Sequence, residues 1–503
     1  MRFGSRLAHG LFLLAVCASA HGFDFADVSQ RARQLASKPY ENPPVTLSKE
    51  LQALTYDQYR DIRFKPQKYH WRGAGLLFEL AFFHAGFYFN FPVQINEITA
   101  GGVQRVRFNP DDFDYGANKL PPQAVKDAGF GGFRVHYPLN TPKYKDETVV
   151  FLGASYFRAI GKGQRYGSSS RGLAIDTGLA SGEEFPRFVE FWIERPTPKA
   201  QQLVIYALLD SKSVTGAYRF VLQPGIETGL DVRMQLHPRD NIAKAGIAPL
   251  TGMFLAGENQ RSTVADYRPE VHDSDGLSLH MENGEWIWRP FINARRLLVT
   301  SFAMPNPLGF GMMQRDRMFS HYEDLESRYE LRPSMWVVPK GKWGAGKVEL
   351  VQIPTPDETN DNIVAFWVPD NPVTSKQPLE LEYEVLWQKD LETKPPQSYV
   401  VQTRRGTGYQ RTPDKAAIGF MVDFEGPALR KLPPDAKVES VFSTDSNGQL
   451  LENIAYRNEV TGGWRVALRF RRIDDKKLVE LRGFLRHNNE TISETWSYIL
   501  QQE

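Results

Sequence analysis

Three carboxylates stand within five residues in the run Asp357-Glu358-Thr359-Asn360-Asp361-Asn362. Apolar Val348, Leu350 and Ile353 precede it and Ile363-Val364-Ala365-Phe366-Trp367 follows. Strand, polar turn and strand is the order this predicts, because Asn and Asp satisfy their own backbone in turns. A second acidic loop, Tyr267-Arg268-Pro269-Glu270-Val271-His272-Asp273-Ser274-Asp275-Gly276, is followed by Gly284-Glu285-Trp286-Ile287-Trp288-Arg289-Pro290. Cleaving a glycosidic bond takes two carboxyl groups, one protonated to release the leaving oxygen and one ionised to activate water or attack carbon. Asp361 and Asp273 are the candidates. Acidic turns are more often plain solvated surface, however, and spacing alone does not bring two distant turns together.

Sugar rings stack on aromatic faces, and Trp286, Trp288, Tyr322, Trp336 and Trp343 are candidate platforms near the two loops. A β-sandwich core wants the same residues. Arg171 and Arg289 are candidates for bonding sugar hydroxyls, or for pairing with acids such as Glu183 and Glu285.

Other chemistries fit poorly. Gly341-Lys342-Trp343-Gly344-Ala345-Gly346-Lys347 follows the phosphate-loop pattern until Val348 stands where Ser or Thr must hold magnesium, so a strand-connecting turn is expected. There is no Gly-x-Ser-x-Gly elbow and no His-Glu-x-x-His pair, and His272 and His280 lack zinc-site spacing. The run at Asp357 lacks the central Gly and the final Glu of a calcium loop. No metal and no cofactor are expected.

The elements that must position these residues are strands. Aromatic-rich candidates at Leu76 to Phe83 and Phe87 to Ile95 flank His84-Ala85-Gly86, which reads as a hairpin turn. Others lie at 132–137, 148–152, 188–193, 203–209, 218–222, 229–236, 297–302 and 348–353. Helical spacing is confined to Phe25 to Ala36 and Ser48 to Ile62 near the start. The fold class expected is therefore all-β, a large antiparallel sandwich over residues 21–388. Residues 389–396, charged and ending in Pro395-Pro396, read as a linker. About seven strand candidates follow in 397–503, the pattern of a small immunoglobulin-like sandwich, here without a disulfide.

A chain of 503 residues predicts two to four domains. Residues 1–20 read as a general export signal: Arg2 and Arg6, then Leu11 to Val16, then Ala18-Ser19-Ala20 as the cleavage site. Its removal takes the single Cys and two of the 61 basic residues, leaving them equal to the 59 acidic ones. A neutral chain lacks the basic face that nucleic acid or an anionic membrane requires. No later run approaches the ~20 apolar residues of a membrane span.

Several long stretches are specific enough to carry a resemblance: Leu152-Gly-Ala-Ser-Tyr-Phe-Arg158, Ser170-Arg-Gly-Leu-Ala-Ile-Asp-Thr177, Ser181-Gly-Glu-Glu-Phe-Pro-Arg187, Phe191-Trp-Ile-Glu-Arg-Pro196, His272-Asp-Ser274, Gly284 to Pro290 and Asp357 to Asn362. On these, the chain resembles the periplasmic glucan biosynthesis protein G and D family over essentially its whole mature length. The ordinary export signal points to the G branch, since the D branch uses the twin-arginine route. The resemblance implies a mutarotase-like supersandwich followed by an immunoglobulin-like domain, and periplasmic work on osmoregulated glucans. It further implies inverting endo-hydrolysis or transglycosylation of β-1,2-glucan, or else a binding factor that presents nascent glucan to the inner-membrane synthase or to branching enzymes. The general acid matches Asp361, the general base Asp273 and a supporting carboxylate Glu358. For Asp361 to be protonated near neutral pH, burial or a carboxylate such as Glu358 is expected to raise its pKa.

Overall fold

The computed structural model describes residues 22–375, 377–406 and 416–502. The expected export signal lies outside them, and no helix among the described residues is long and apolar enough to cross a membrane. The fold is all-β, as the strand pattern predicts, and two large sheets dominate it. One has ten strands, centred on Ala245–Gly252 and Ile363–Pro369; the other has fifteen. Their facing sides share a single apolar core. Phe151 of one sheet meets Phe220 of the other at 5.2 Å, and Phe133 meets Phe191 at 5.0 Å.

Period-two alternation explains the outer strands. In Thr228–Pro238 the side chains of Leu230, Val232, Met234 and Leu236 point into the core, while Asp231, Arg233 and Gln235 alternate with them at the surface. Ala245–Gly252 is different: all eight residues are buried, because the strand is covered on both faces. Pro249 within it coincides with a register shift between Ile247 and Leu250, and the Pro249 carbonyl accepts from Ser170 Oγ at 3.0 Å instead.

The helix at Phe25–Ala36 forms where the spacing predicts it, with a capping box from Asp24 and Asp27. The pattern from Ser48 to Ile62 is not one helix. Thr55 caps a new start through Gln58, and the stretch divides into Lys49–Gln52 and Tyr56–Arg60. The expected hairpin around His84-Ala85-Gly86 also fails. Glu79–His84 pairs with Phe130–Tyr137, while Gln94–Thr99 pairs in parallel with Arg187–Glu194 in the other sheet. Phe87 to Phe91 is left as irregular chain between the sheets. Gly341-Lys342-Trp343-Gly344 is the turn joining Ser334–Lys340 to Gly346–Gln352, with Gly341 and Gly344 at positive φ as such a turn requires.

Past residue 396 come Tyr399–Arg405, Ala417–Glu425, Glu439–Thr444, Gly448–Arg457, Trp464–Arg472, Val479–His487 and Thr495–Leu500. Four of these form a sheet of their own. The other three extend the fifteen-stranded sheet, because Thr495 and Trp496 pair in parallel with Ile287 and Trp288. The charged stretch after Gln388 is fastened down. Glu227 accepts the backbone N–H groups of Lys389, Asp390 and Leu391 at 2.8, 3.0 and 2.8 Å, and buried Glu392 pairs with Arg317 at 2.6 Å.

Candidate active site

The acidic run is a loop between antiparallel Gly346–Gln352 and Ile363–Pro369, closed by Ile353 N–H donating to the Asn362 carbonyl at 2.8 Å. Asp357 serves the turn itself, accepting from Thr359 N at 2.9 Å and Thr359 Oγ1 at 2.5 Å. The solvated-turn reading therefore holds for Asp357. It does not hold for the end of the loop. The buried Asn362 side chain accepts from Phe254 N at 2.8 Å and donates to the Phe254 carbonyl at 3.0 Å.

The neighbouring residue, Met253, holds the other acid. Asp273 follows the short strand Val271–His272, which pairs with Phe254–Ala256. Its N–H donates to the Met253 carbonyl at 2.8 Å, and its Oδ2 accepts from Met253 N at 3.1 Å. Backbone at Met253 and Phe254 thus clamps both acidic segments, and two loops far apart in sequence share one cradle.

Asp361 opens to solvent in the cleft and makes no side-chain hydrogen bond or ion pair among the described residues. Protein nevertheless crowds it on its remaining sides. Burial is the first cause that raises its pKa, and the Asp273 charge is the second; Arg158, Arg171 and Arg332 pull the other way. The carboxylate acting on Asp361 is Asp273 rather than the expected Glu358. Glu358 faces Arg268 at 2.7 Å and accepts from the Tyr329 hydroxyl at 3.2 Å.

Asp273 is buried and its Oδ1 accepts from Arg332, whose guanidinium lies 4.1 Å over the Tyr329 ring. The two acids are therefore in unlike surroundings: one carboxyl open to the cleft with its ionised form disfavoured, the other buried and bonded to Arg332 and Met253 N–H. Arg171 lies against Tyr156 at 4.8 Å and pairs with Glu183 at 2.5 Å, the partner anticipated for it, while its charge reaches Asp361.

A cavity of about 690 Å³ adjoins this cradle, lined by Tyr156 and Arg158 at one end and by Tyr56, Phe87, Tyr88 and Phe89. Tyr88 is 80% exposed and Tyr56 61% exposed, so their ring faces are available. A second cavity of about 750 Å³, between Asn259, Pro354 and Tyr498, has Glu258 as its only acid among the described residues.

Comparison with known proteins settles the family. The model described as "Periplasmic glucan biosynthesis protein, MdoG" matches residues 23–500. This chain belongs to that family. A relative named Glucans biosynthesis protein G, from Ralstonia nicotianae, is 60% identical over 501 residues, covering 98% of this chain and 99% of its own. Among solved structures, the Slr1438 protein of Synechocystis aligns with 69% of this chain and 99% of its own at 9% identity; its TM-score of 0.16 carries no argument.

Of the expected aromatic platforms in this family member, only Tyr322 lies by the cradle, packed on His272 at 5.2 Å. Trp288, Tyr322, Trp336 and Trp343 are all buried, and Trp286 is stacked between His280 at 4.2 Å and Trp336 at 5.4 Å. Trp286, Trp288 and Trp336 pack into the cluster where the C-terminal strands join the large sheet, and Trp343 packs on Tyr383 at 5.8 Å. Arg289 is fully buried and pairs with Glu480 of the C-terminal strands at 2.7 Å. Arg332 and Tyr329 stand beside Asp273, Arg268 beside Glu358, and Arg158 with Tyr56, Phe87 and Tyr88 lines the adjoining cavity. The Phe87 to Phe91 aromatics were visible as a cluster, but reading them as a strand hid their role as cavity wall.

Proposed function

We propose that this protein acts on β-1,2-glucan as an inverting endo-glucanase or transglycosylase, with Asp361 as general acid and Asp273 as general base. The observation carrying this reading is the shared Met253–Phe254 cradle, in which burial and then the Asp273 charge hold Asp361 toward its protonated form. Asp361 delivers its proton to the leaving glycosidic oxygen, and Asp273 draws one from the attacking water or hydroxyl. Glu358 supports the site by fixing Tyr329 and Arg268 beside Arg332. The Tyr88 and Tyr56 faces and Arg158 carry glucose units along the adjoining cavity. A glucan substrate accords with the family description, and the β-1,2 linkage is part of the proposal. Export to the periplasm accords with the family description and with the apolar start of the chain.

One observation favours a second reading, a glucan-binding factor that does not cut. Both Asp273 oxygens are already engaged, one by Arg332 and one by Met253 N–H. Incubation with linear β-1,2-glucan, followed by sizing of the products, separates the two. Shortened or redistributed chains are expected; binding without any change in length would leave only the second.

A further inference from the structure

Gln314 follows the strand Pro307–Met313 and is completely buried. Its amide has no freedom of orientation. Nε2 donates to the His272 carbonyl and to the Tyr329 carbonyl, each at 3.2 Å, which uses both of its N–H groups. Reversing the amide would set an oxygen against two carbonyl oxygens. Oε1 therefore accepts, and it accepts from His272 Nδ1 at 3.0 Å.

With Nδ1 carrying a proton toward Gln314, His272 Nε2 faces Glu270 Oε2 at 2.9 Å and Asp275 Oδ1 at 3.5 Å. Both carboxylates accept, so Nε2 carries a proton as well and the ring is an imidazolium. It is held between Phe254 at 5.3 Å and Tyr322 at 5.2 Å. Burial alone would lower the His272 pKa, but the Glu270 hydrogen bond and the charges of Asp275, Glu270 and Asp316 raise it to about 9.

The two carbonyls that Gln314 grips belong to segments far apart in sequence that both reach Asp273. His272 immediately precedes Asp273. Tyr329 is the ring on which Arg332 lies before reaching Asp273, and its hydroxyl meets Glu358. We propose that Gln314 is a positioning residue, a buried clamp that fixes Asp273 against Arg332 by holding the His272 and Tyr329 backbones to each other. The proposal rests on reading Asp273 as the base.

Gln314→Glu tests it, because the variant keeps the shape and the acceptor toward Nδ1 while losing both donors. Linear β-1,2-glucan cleavage is measured across pH for wild type, Gln314→Glu and Asp273→Asn, together with imidazole ¹⁵N shifts of His272. The variant is expected to lose about 10- to 100-fold in kcat with KM little changed, as sub-ångström misplacement of a catalytic group does. With Arg332 no longer seated on Asp273, the acid limb of the pH profile moves up by about half a unit or more. A lower folded fraction would scale the whole profile without moving it, so an unmoved limb, or wild-type kcat, overturns the clamp. Should wild type itself leave the glucan uncut, the enzymatic reading fails. The clamp is then judged on the ¹⁵N shifts alone: two protonated ring nitrogens at pH 7 in wild type, changed in the variant, uphold it, and a neutral ring or an unaffected one overturns it.

Discussion

The cradle at Met253–Phe254 and the junction around Trp288 both gather charged and aromatic residues, and they use them in opposite ways. At the junction the charges cancel: Arg289 meets Glu480 at 2.7 Å, and Arg315 meets Glu494 at 2.6 Å while covering Trp288 at 3.6 Å. Buried ions held in pairs of this kind anchor one part of a structure to another. In the cradle Asp361 has no partner among the described residues, and its nearest influences disagree, burial and Asp273 on one side and three arginines on the other. Residual imbalance beside a cavity marks the place where chemistry is affordable. The abundance of tryptophan marks only where the core is thick.

The sharpest way to break this contrast is to neutralise Asp361. Asp361→Asn is expected to lower the glucan cleavage rate by about 10²- to 10⁴-fold, the usual worth of a general acid, and to leave glucan binding intact. Activity within a few-fold of wild type would remove the cradle from consideration. The converse change belongs at the junction. Trp288→Ala should cost about 3–5 kcal/mol of stability, as loss of a buried Trp does, with the cleavage rate per folded molecule unchanged. A weaker grip on glucan at an unaltered melting temperature would show instead that the junction, not the cavity, meets the sugar. A smaller effect is expected from Tyr88→Ala. Its ring is largely exposed, so stability should not move, while glucan affinity falls by about 2- to 10-fold through loss of one stacking face. Isothermal titration with an oligosaccharide long enough to span the cavity measures it; an unchanged Kd would take Tyr88 out of the binding surface.

Much of the scaffold was legible in the chain. Most of the strands beyond residue 396 were readable because they are short and are followed by Gly, Asn or Asp. Ala245–Gly252 was not, since a Pro and two glycines inside a strand buried on both faces erase the alternation. The strand expected at 87–95 lies instead at Gln94–Thr99, because its partner Arg187–Glu194 is set by the packing of two sheets and not by the turn before it. The two acids stood out by type and by their loops. The cradle did not, because Met253 and Phe254 act through backbone N–H and carbonyl groups that leave no trace in side-chain chemistry. Arg332 and Tyr329 were hidden for another reason: what matters is that they face Asp273, a property of a distant short helix, Tyr329–Leu331, and not of their own neighbours in sequence.

The mildest test bears on where the two regions meet. Glu258 lies between the cradle and the C-terminal strands, accepting from Thr403 N and standing 3.8 Å from Arg404. Burial, then the Glu270 charge, pushes its pKa up to about 8. In the unfolded chain the same carboxyl ionises near the ordinary glutamate value, so between that value and about 8 the folded state holds a proton that the unfolded state has released. Folding stability therefore declines as pH rises through this window and levels off above it. Glu258→Gln carries no such proton and should be the more stable protein at pH 8, with its advantage shrinking steadily as the pH is lowered and gone below the ordinary carboxylate range. Denaturant midpoints at several pH values measure this. A constant difference across the range would mean that Glu258 is ionised in the folded protein and that the junction, there as at Arg289 and Arg315, neutralises every charge it buries.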